Sequence, residues 1–103
     1  LAGEEESWMV APRARLHQKF LRFVSAQGES LLKARAYEPA VELYLGALEI
    51  DPASEPLHQG LMRAYRALGR VSELNAAYRR CREVLLALLD ACPSRETEAL
   101  LAR

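Results

Sequence analysis

The sequence predicts an all-α fold: a right-handed stack of antiparallel helix pairs, about five helices in all. Two observations carry this reading. The chain matches itself at an offset of 34 residues, which brings Leu31/Tyr65, Tyr37/Val71, Ala40/Leu74, Tyr44/Tyr78 and Ala47/Cys81 into register. Its apolar residues recur at three-to-four spacing between proline and glycine breaks, and no segment alternates with the period of a strand.

A 34-residue period is that of the tetratricopeptide repeat. Each unit is a helical hairpin that cannot bury its apolar face alone, so it must stack on a neighbour. The expected product is a tetratricopeptide-like scaffold whose curved wall is free to bind.

The elements follow in order. Residues 1–11 carry Glu4, Glu5 and Glu6 and then Trp8, and read as an exposed lead-in with one apolar anchor. Pro12 suits a first helical position, and Leu16, Phe20, Phe23, Val24, Leu31 and Ala34 continue one face through Arg35. This helix of about 24 residues extends roughly 36 Å, about twice the reach of the next one, so its first turns overhang the repeat. The overhang places Leu16 and Phe20 beside Trp8, to fold back on the body or to meet a partner. Gly28 falls inside this helix, where glycine costs about 1 kcal/mol against alanine, and close approach of the second helix is the expected compensation.

Ala36 and Tyr37 are expected to form the first turn, with Pro39 opening the second helix, which runs to Ile50. Its stripe is Ala40, Leu43, Tyr44, Ala47 and Leu48, and Asp51–Pro52 breaks it. Ser54 is the expected cap of a third helix bearing Leu57, Leu61, Ala64, Tyr65 and Leu68, which stops at Gly69. After a turn at Gly69–Val71, the fourth helix runs from Ser72 to Leu89 with Leu74, Ala77, Tyr78, Cys81, Leu85 and Leu88 facing inward. Pro93 and Ser94 interrupt the chain. A short helix from Arg95 to Ala102 then offers Ala99, Leu100 and Leu101 to the flank of the fourth.

Composition narrows the function. A length of 103 residues, half of them apolar, suits one domain with one modest core, here residues 12–103. Fourteen basic residues balance fourteen acidic ones, which argues against direct nucleic-acid binding by this chain. The longest apolar run, Val84–Leu89, is far below the roughly 20 residues of a membrane span, so no membrane role and a cytoplasmic location are expected. The chain opens on Leu1 with no secretory leader pattern, and is expected to be part of a longer polypeptide. Two cysteines are too few for a disulfide framework, and Cys81 is expected to be a buried reduced thiol.

A resemblance adds to this reading. The run Tyr37, Glu38, Ala40, Asp51, Pro52, Glu55, His58, Leu61, Met62, Arg63, Tyr65, Ala67, Leu68, Gly69 and Arg70 continues through Tyr78, Cys81, Arg82, Leu85, Pro93, Ser94, Glu96, Thr97 and Leu100. Together these residues resemble the bacterial transcriptional activator domain. In that family, as in the Streptomyces antibiotic regulatory proteins, a tetratricopeptide-like domain follows a winged-helix DNA-binding domain. The resemblance implies a part in transcription regulation through contacts to a protein partner: another subunit (self), an attached regulatory domain or the transcription machinery. Two departures stand out: Leu74 replaces a small alanine, and Leu89, Asp90, Ala91 and Cys92 replace a linker that usually contains glycine.

Stacked hairpins put the first helix of each pair on the concave side, so Arg22, Ser25, Glu29, Lys33, Gln59, Arg63 and Arg66 form the candidate partner-binding groove. Arg63 and Arg66 are suited to bidentate capture of carboxylates. No catalytic, cofactor-binding or metal-binding set is expected. His17 and Cys81 lack a matching acidic orienter or a second close ligand, and His58 reads as a partly buried packing residue. Arg79, Arg80 and Arg82 read as a solvated face, because Glu83 follows and no aromatic platform interleaves with them. The carboxylate clamp of some tetratricopeptide proteins is not expected, since Ser25, Glu29, Pro56 and Gly60 hold the corresponding positions. A groove that senses a small ligand or peptide, and a plain adaptor repeat outside transcription, are the alternatives. The apolar flanks of the stack also make a homodimer an expectation to test.

Overall fold

The computed structural model describes the backbone of residues 2–101 and the side chains of residues 14–101. Five helices follow in order: α1 (Ala2–Lys33), α2 (Tyr37–Ile50), α3 (Glu55–Leu68), α4 (Val71–Leu89) and α5 (Arg95–Ala99). Among the described residues there is no strand. α1 packs on α2, α2 on α3 and α3 on α4, while α1 also touches α3. That order is the stacking of two helical hairpins, and the fold is tetratricopeptide-like.

The repeat is visible in the geometry. α2 and α4 begin at Tyr37 and Val71, one period apart. Arg35 (φ 60°) and Gly69 (φ 73°), also one period apart, each take the left-handed conformation that ends the preceding helix. Glycine enters this region without steric cost, whereas Arg35 carries a Cβ penalty there. Asp90 (φ 52°) does the same after α4; a short polar side chain tolerates this conformation better than most.

Several boundaries differ from expectation. α1 starts at Ala2 rather than Pro12, and the first turn is Ala34–Arg35 rather than Ala36–Tyr37. Pro39 is the third residue of α2 and not its first, which costs nothing because the first-turn amides of a helix lack intrahelical acceptors. Ser54 occupies the cap position of α3, yet its side chain accepts no capping hydrogen bond and its buried Oγ has no partner. Its carbonyl accepts instead from the amides of Leu57 and His58. The exposure of residues 1–11, the anchoring of Trp8 and the placement of Ala102 lie outside the described residues.

One core joins the two hairpins: Val24 of α1, Ala40, Val41, Tyr44, Ala47 and Leu48 of α2, Leu57, Leu61, Met62, Ala64 and Tyr65 of α3, and Leu74 and Ala77 of α4. Its centre is Tyr44, 3% exposed. A Cβ added to Gly28 of α1 or to Gly60 of α3 would overlap the Tyr44 phenol, so the ring fits between two glycine notches on neighbouring helices. The close approach expected at Gly28 is therefore present, with Tyr44 as its cause. Cys81 and Leu85 are buried on α4, while Leu16, Phe23, Ala34 and Leu88 are exposed and not part of the core. Leu16 and Phe23 lie on a side of α1 that no helix covers, whereas Phe20, half-buried, packs against the core edge.

Candidate functional site

The candidate partner-binding wall belongs to α1 and α3. Arg22, Ser25, Glu29 and Lys33 recur at helical spacing along one stripe of α1, and Gln59, Arg63 and Arg66 along one stripe of α3. Glu29, Lys33 and Arg63, together with Leu32, line a shallow cavity of about 240 Å³. Among the described residues, none of these three charges has an ion-pair partner within 4.0 Å. Arg22 and Arg66 are exposed nearby and Ser25 is half-buried; none of them lines the cavity.

Tyr44 links this wall to the core. Burial raises the pKa of its phenol, Arg63 lowers it and Glu29 raises it. The phenol therefore senses both groove charges from beneath, and the two-glycine fit positions the wall that carries them. Tyr44 was legible in the sequence as a core residue; its contact with two glycines was not, because those contacts cross between helices.

Gln59 is diverted from the groove. Its Nε2 donates to Thr97 Oγ1 at 2.9 Å, and Thr97 in turn donates through Oγ1 to Glu55 Oε2. Ser94 N also donates to Glu55 Oε2, at 2.7 Å. Burial raises the pKa of Glu55, but the hydrogen bonds from Thr97 and Ser94 outweigh this and hold it below the usual carboxylate value. Thr97 is fully buried. Ser94 Oγ accepts from Thr97 N and caps α5. This polar latch fastens α5 to α3. Contact with α4 comes through Tyr78 Oη, which donates to Glu98 at 3.3 Å, and Leu100 and Leu101 pack at the core edge while Ala99 is exposed.

The histidines are both engaged. His58, 1% exposed, donates Nε2–H to the Pro52 carbonyl at 2.7 Å, and burial lowers its pKa. It is a fully buried packing residue that also fixes the loop before α3. His17 has the acidic partner that sequence reasoning denied it: Nε2 lies 2.9 Å from Asp51 Oδ2, joining α1 to the end of α2. The two residues are 34 positions apart, and no local pattern in the sequence connects them. Arg70 makes a comparable tie, donating to Glu38 at 2.7 Å. Arg79, Arg80 and Arg82 are exposed, as a solvated face should be.

Stacked helical hairpins define a tetratricopeptide-like scaffold. The family model for the bacterial transcriptional activator domain matches residues 1–103, and the chain belongs to that family, a domain of transcription regulators. It is also similar to the small glutamine-rich tetratricopeptide repeat-containing protein 2 of Mycosarcoma maydis, with 33% identity over 63 residues. That match covers 61% of this chain and 18% of the relative's length. No solved structure matches it. Among the described residues no helix is long and apolar enough to cross a membrane.

Proposed function

We propose that this domain serves a bacterial transcription regulator as a non-catalytic, cytoplasmic contact module, binding a protein partner through its concave wall. The partner is another subunit, an attached regulatory domain or the transcription machinery. The observation that carries this reading is the set of unpaired charges Glu29, Lys33 and Arg63 around one cavity of a tetratricopeptide-like family member. Lys33 and Arg63 present donors for carboxylates, with Arg66 exposed one turn further along α3. The balanced charge of the whole chain favours a protein over nucleic acid as the partner. A shallow cavity of about 240 Å³ is small against the roughly 300–1,000 Å³ of pockets that enclose small ligands, which ranks ligand sensing second.

The test is Lys33→Glu combined with Arg63→Glu in the intact regulator. Both side chains are exposed, so stability is expected to change by less than about 0.5 kcal/mol for each. Reporter activation is expected to fall roughly tenfold or more, as reversed charges at an interface oppose docking. Unchanged activation with normal protein levels would remove the groove from the mechanism.

A further inference from the structure

α2 and α4 both pack on α3, and the small side chains of Ala76 and Ala77 on α4 leave space between them. The result is a furrow made of two adjoining cavities of about 170 Å³ each. Leu48, His58, Leu61, Tyr65 and Ala77 are buried and floor it, while the exposed Leu45 and Glu49 of α2 and Ala76 and Arg80 of α4 form its rims. One cavity reaches His58 and the other Tyr65, seven residues apart on α3 or about 10.5 Å of helix. Leu45, Leu61, Ala77 and Arg80 line both. The furrow shares no residue with the cavity around Glu29, Lys33 and Arg63.

Size, backbone and charge define what fits. Each cavity is well below the roughly 300–1,000 Å³ of pockets that enclose small ligands, and suits a single apolar anchor side chain. Two anchors within that short furrow must stand close to one helical turn apart, the spacing of side chains at i and i+4. The rims are helices whose backbone groups are already bonded within themselves, so an extended peptide would find no ladder there, whereas a helix satisfies its own amides. Glu49 on α2 and Arg80 on α4 line the same cavity, yet among the described residues neither has an ion-pair partner within 4.0 Å. Burial first, and Arg80 after it, lower the pKa of His58, which places the guanidinium close to that buried ring. At the other end Glu73 lies 3.7 Å from Arg70, so its charge is already countered.

We propose that this furrow receives an amphipathic helix of a partner protein, which seats large apolar side chains at i and i+4 in the two cavities, turns an acidic residue to Arg80 and a basic one to Glu49. The anchors supply affinity by filling the cavities. The charges supply direction: the acid lies on the flank beside α4 and the base on the flank beside α2, so a helix with the two exchanged meets like charges on both rims. Arg80 offers a planar fork of donors that suits a carboxylate. This inference rests on reading the domain as a protein-contact module, but not on the groove around Lys33 and Arg63. Its variants leave both of those residues untouched, so failure of one reading does not count against the other.

A displayed library of helical peptides, each about 16 residues long so that the helix is stable alone, tests it by selection on the intact regulator. Enriched peptides are expected to carry Leu, Met or Phe at i and i+4, with an acid on one flank and a base on the other. Ala76→Trp, which sets a bulky side chain on the exposed rim of the Tyr65 cavity, should weaken their binding roughly tenfold or more, and so should Arg80→Glu. Replacing the peptide's acid by lysine should restore binding to Arg80→Glu to within roughly threefold of the original pair; a misfolded variant would not give this rescue. Lys33→Glu with Arg63→Glu should leave peptide binding unchanged. A library that yields no such helix, peptides that bind Ala76→Trp as tightly as wild type, a failed charge exchange, or binding lost in the Lys33 and Arg63 variant would each overturn the inference. So would sedimentation in which Ala76→Trp abolishes self-association of the wild type, since the furrow would then belong to a second copy of the chain.

Discussion

Tyr44 sits between two helices that have each given up a side chain to admit it. A Cβ on Gly28 would strike the hydroxyl end of the ring, and one on Gly60 would strike Cζ and both Cε atoms, so each glycine is needed for the ring to keep its place. Gly28→Ala and Gly60→Ala are each expected to lower stability by about 1–3 kcal/mol, the range for overpacking a filled core. Gly46, on the exposed side of α2, is the control, since an added Cβ there meets nothing within 4 Å. Gly46→Ala should raise stability by about 0.5–1 kcal/mol through helix propensity alone. Urea denaturation of the three variants checks the signs, and a stabilising Gly60→Ala would contradict the fit. The helical cost of Gly28 was readable from its position, and so was the inward direction of Tyr44. That Gly60 completes the slot was not, since its contact depends on how α3 crosses α2.

The elements form by local rules, and the shortest of them persists only through a tertiary one. α5 has five residues, too few to be stable in water without outside support. Ser94 caps it, and Glu55 of α3 accepts from Ser94 N and Thr97 Oγ1, bonds that span 39 and 42 residues. Its break at Pro93–Ser94 was legible in the sequence. Its anchor was not, because no local pattern connects Glu55 to Thr97. Since the folded pKa of Glu55 is lowered, the stabilisation it provides is full above its ordinary value of 4.5 and is lost as pH falls through the lower folded value. Hydrogen exchange is therefore expected to show α5 amides losing protection on acidification below 4.5 while the α2–α3 core stays protected. Glu55→Gln should weaken α5 at neutral pH, by about 1–3 kcal/mol, and abolish that acid step. An acid step of wild-type size in the variant would assign it to another group.

Across the whole molecule, two hairpins share one interior and leave two walls of different character. One wall holds Glu29, Lys33 and Arg63, while the exposed side of α2 carries Glu42 and Glu49 beside a furrow lined by Leu45, Leu48, Leu61, Ala77 and Arg80. The interior shields Cys81, which is fully buried and whose thiol pKa is pushed up to about 11, whereas Cys92 is exposed. Iodoacetamide is expected to label one thiol per folded chain, at Cys92. Labelling of Cys81 should then follow global unfolding in urea, because the reactive species is the thiolate and both burial and pKa suppress it. Rapid native labelling of Cys81 would mean that the α3–α4 layer opens on its own.

The 34-residue period, the helix-compatible apolar spacing and the proline and glycine breaks were enough to specify helices, their pairing and the family, because each arises from residues near one another along the chain. Glu29 and Lys33 on α1 and Arg63 on α3 were legible as exposed polar positions for the same reason, since helical periodicity puts them off the apolar stripe. Packing settled the remainder. It withdrew Gln59 into the α5 latch, gave His17 an acidic partner, left Leu16, Phe23 and Leu88 uncovered, and turned the α2 glutamates outward. These outcomes depend on distances between separate helices, which are set only when side chains from all of them compete for the same interior space.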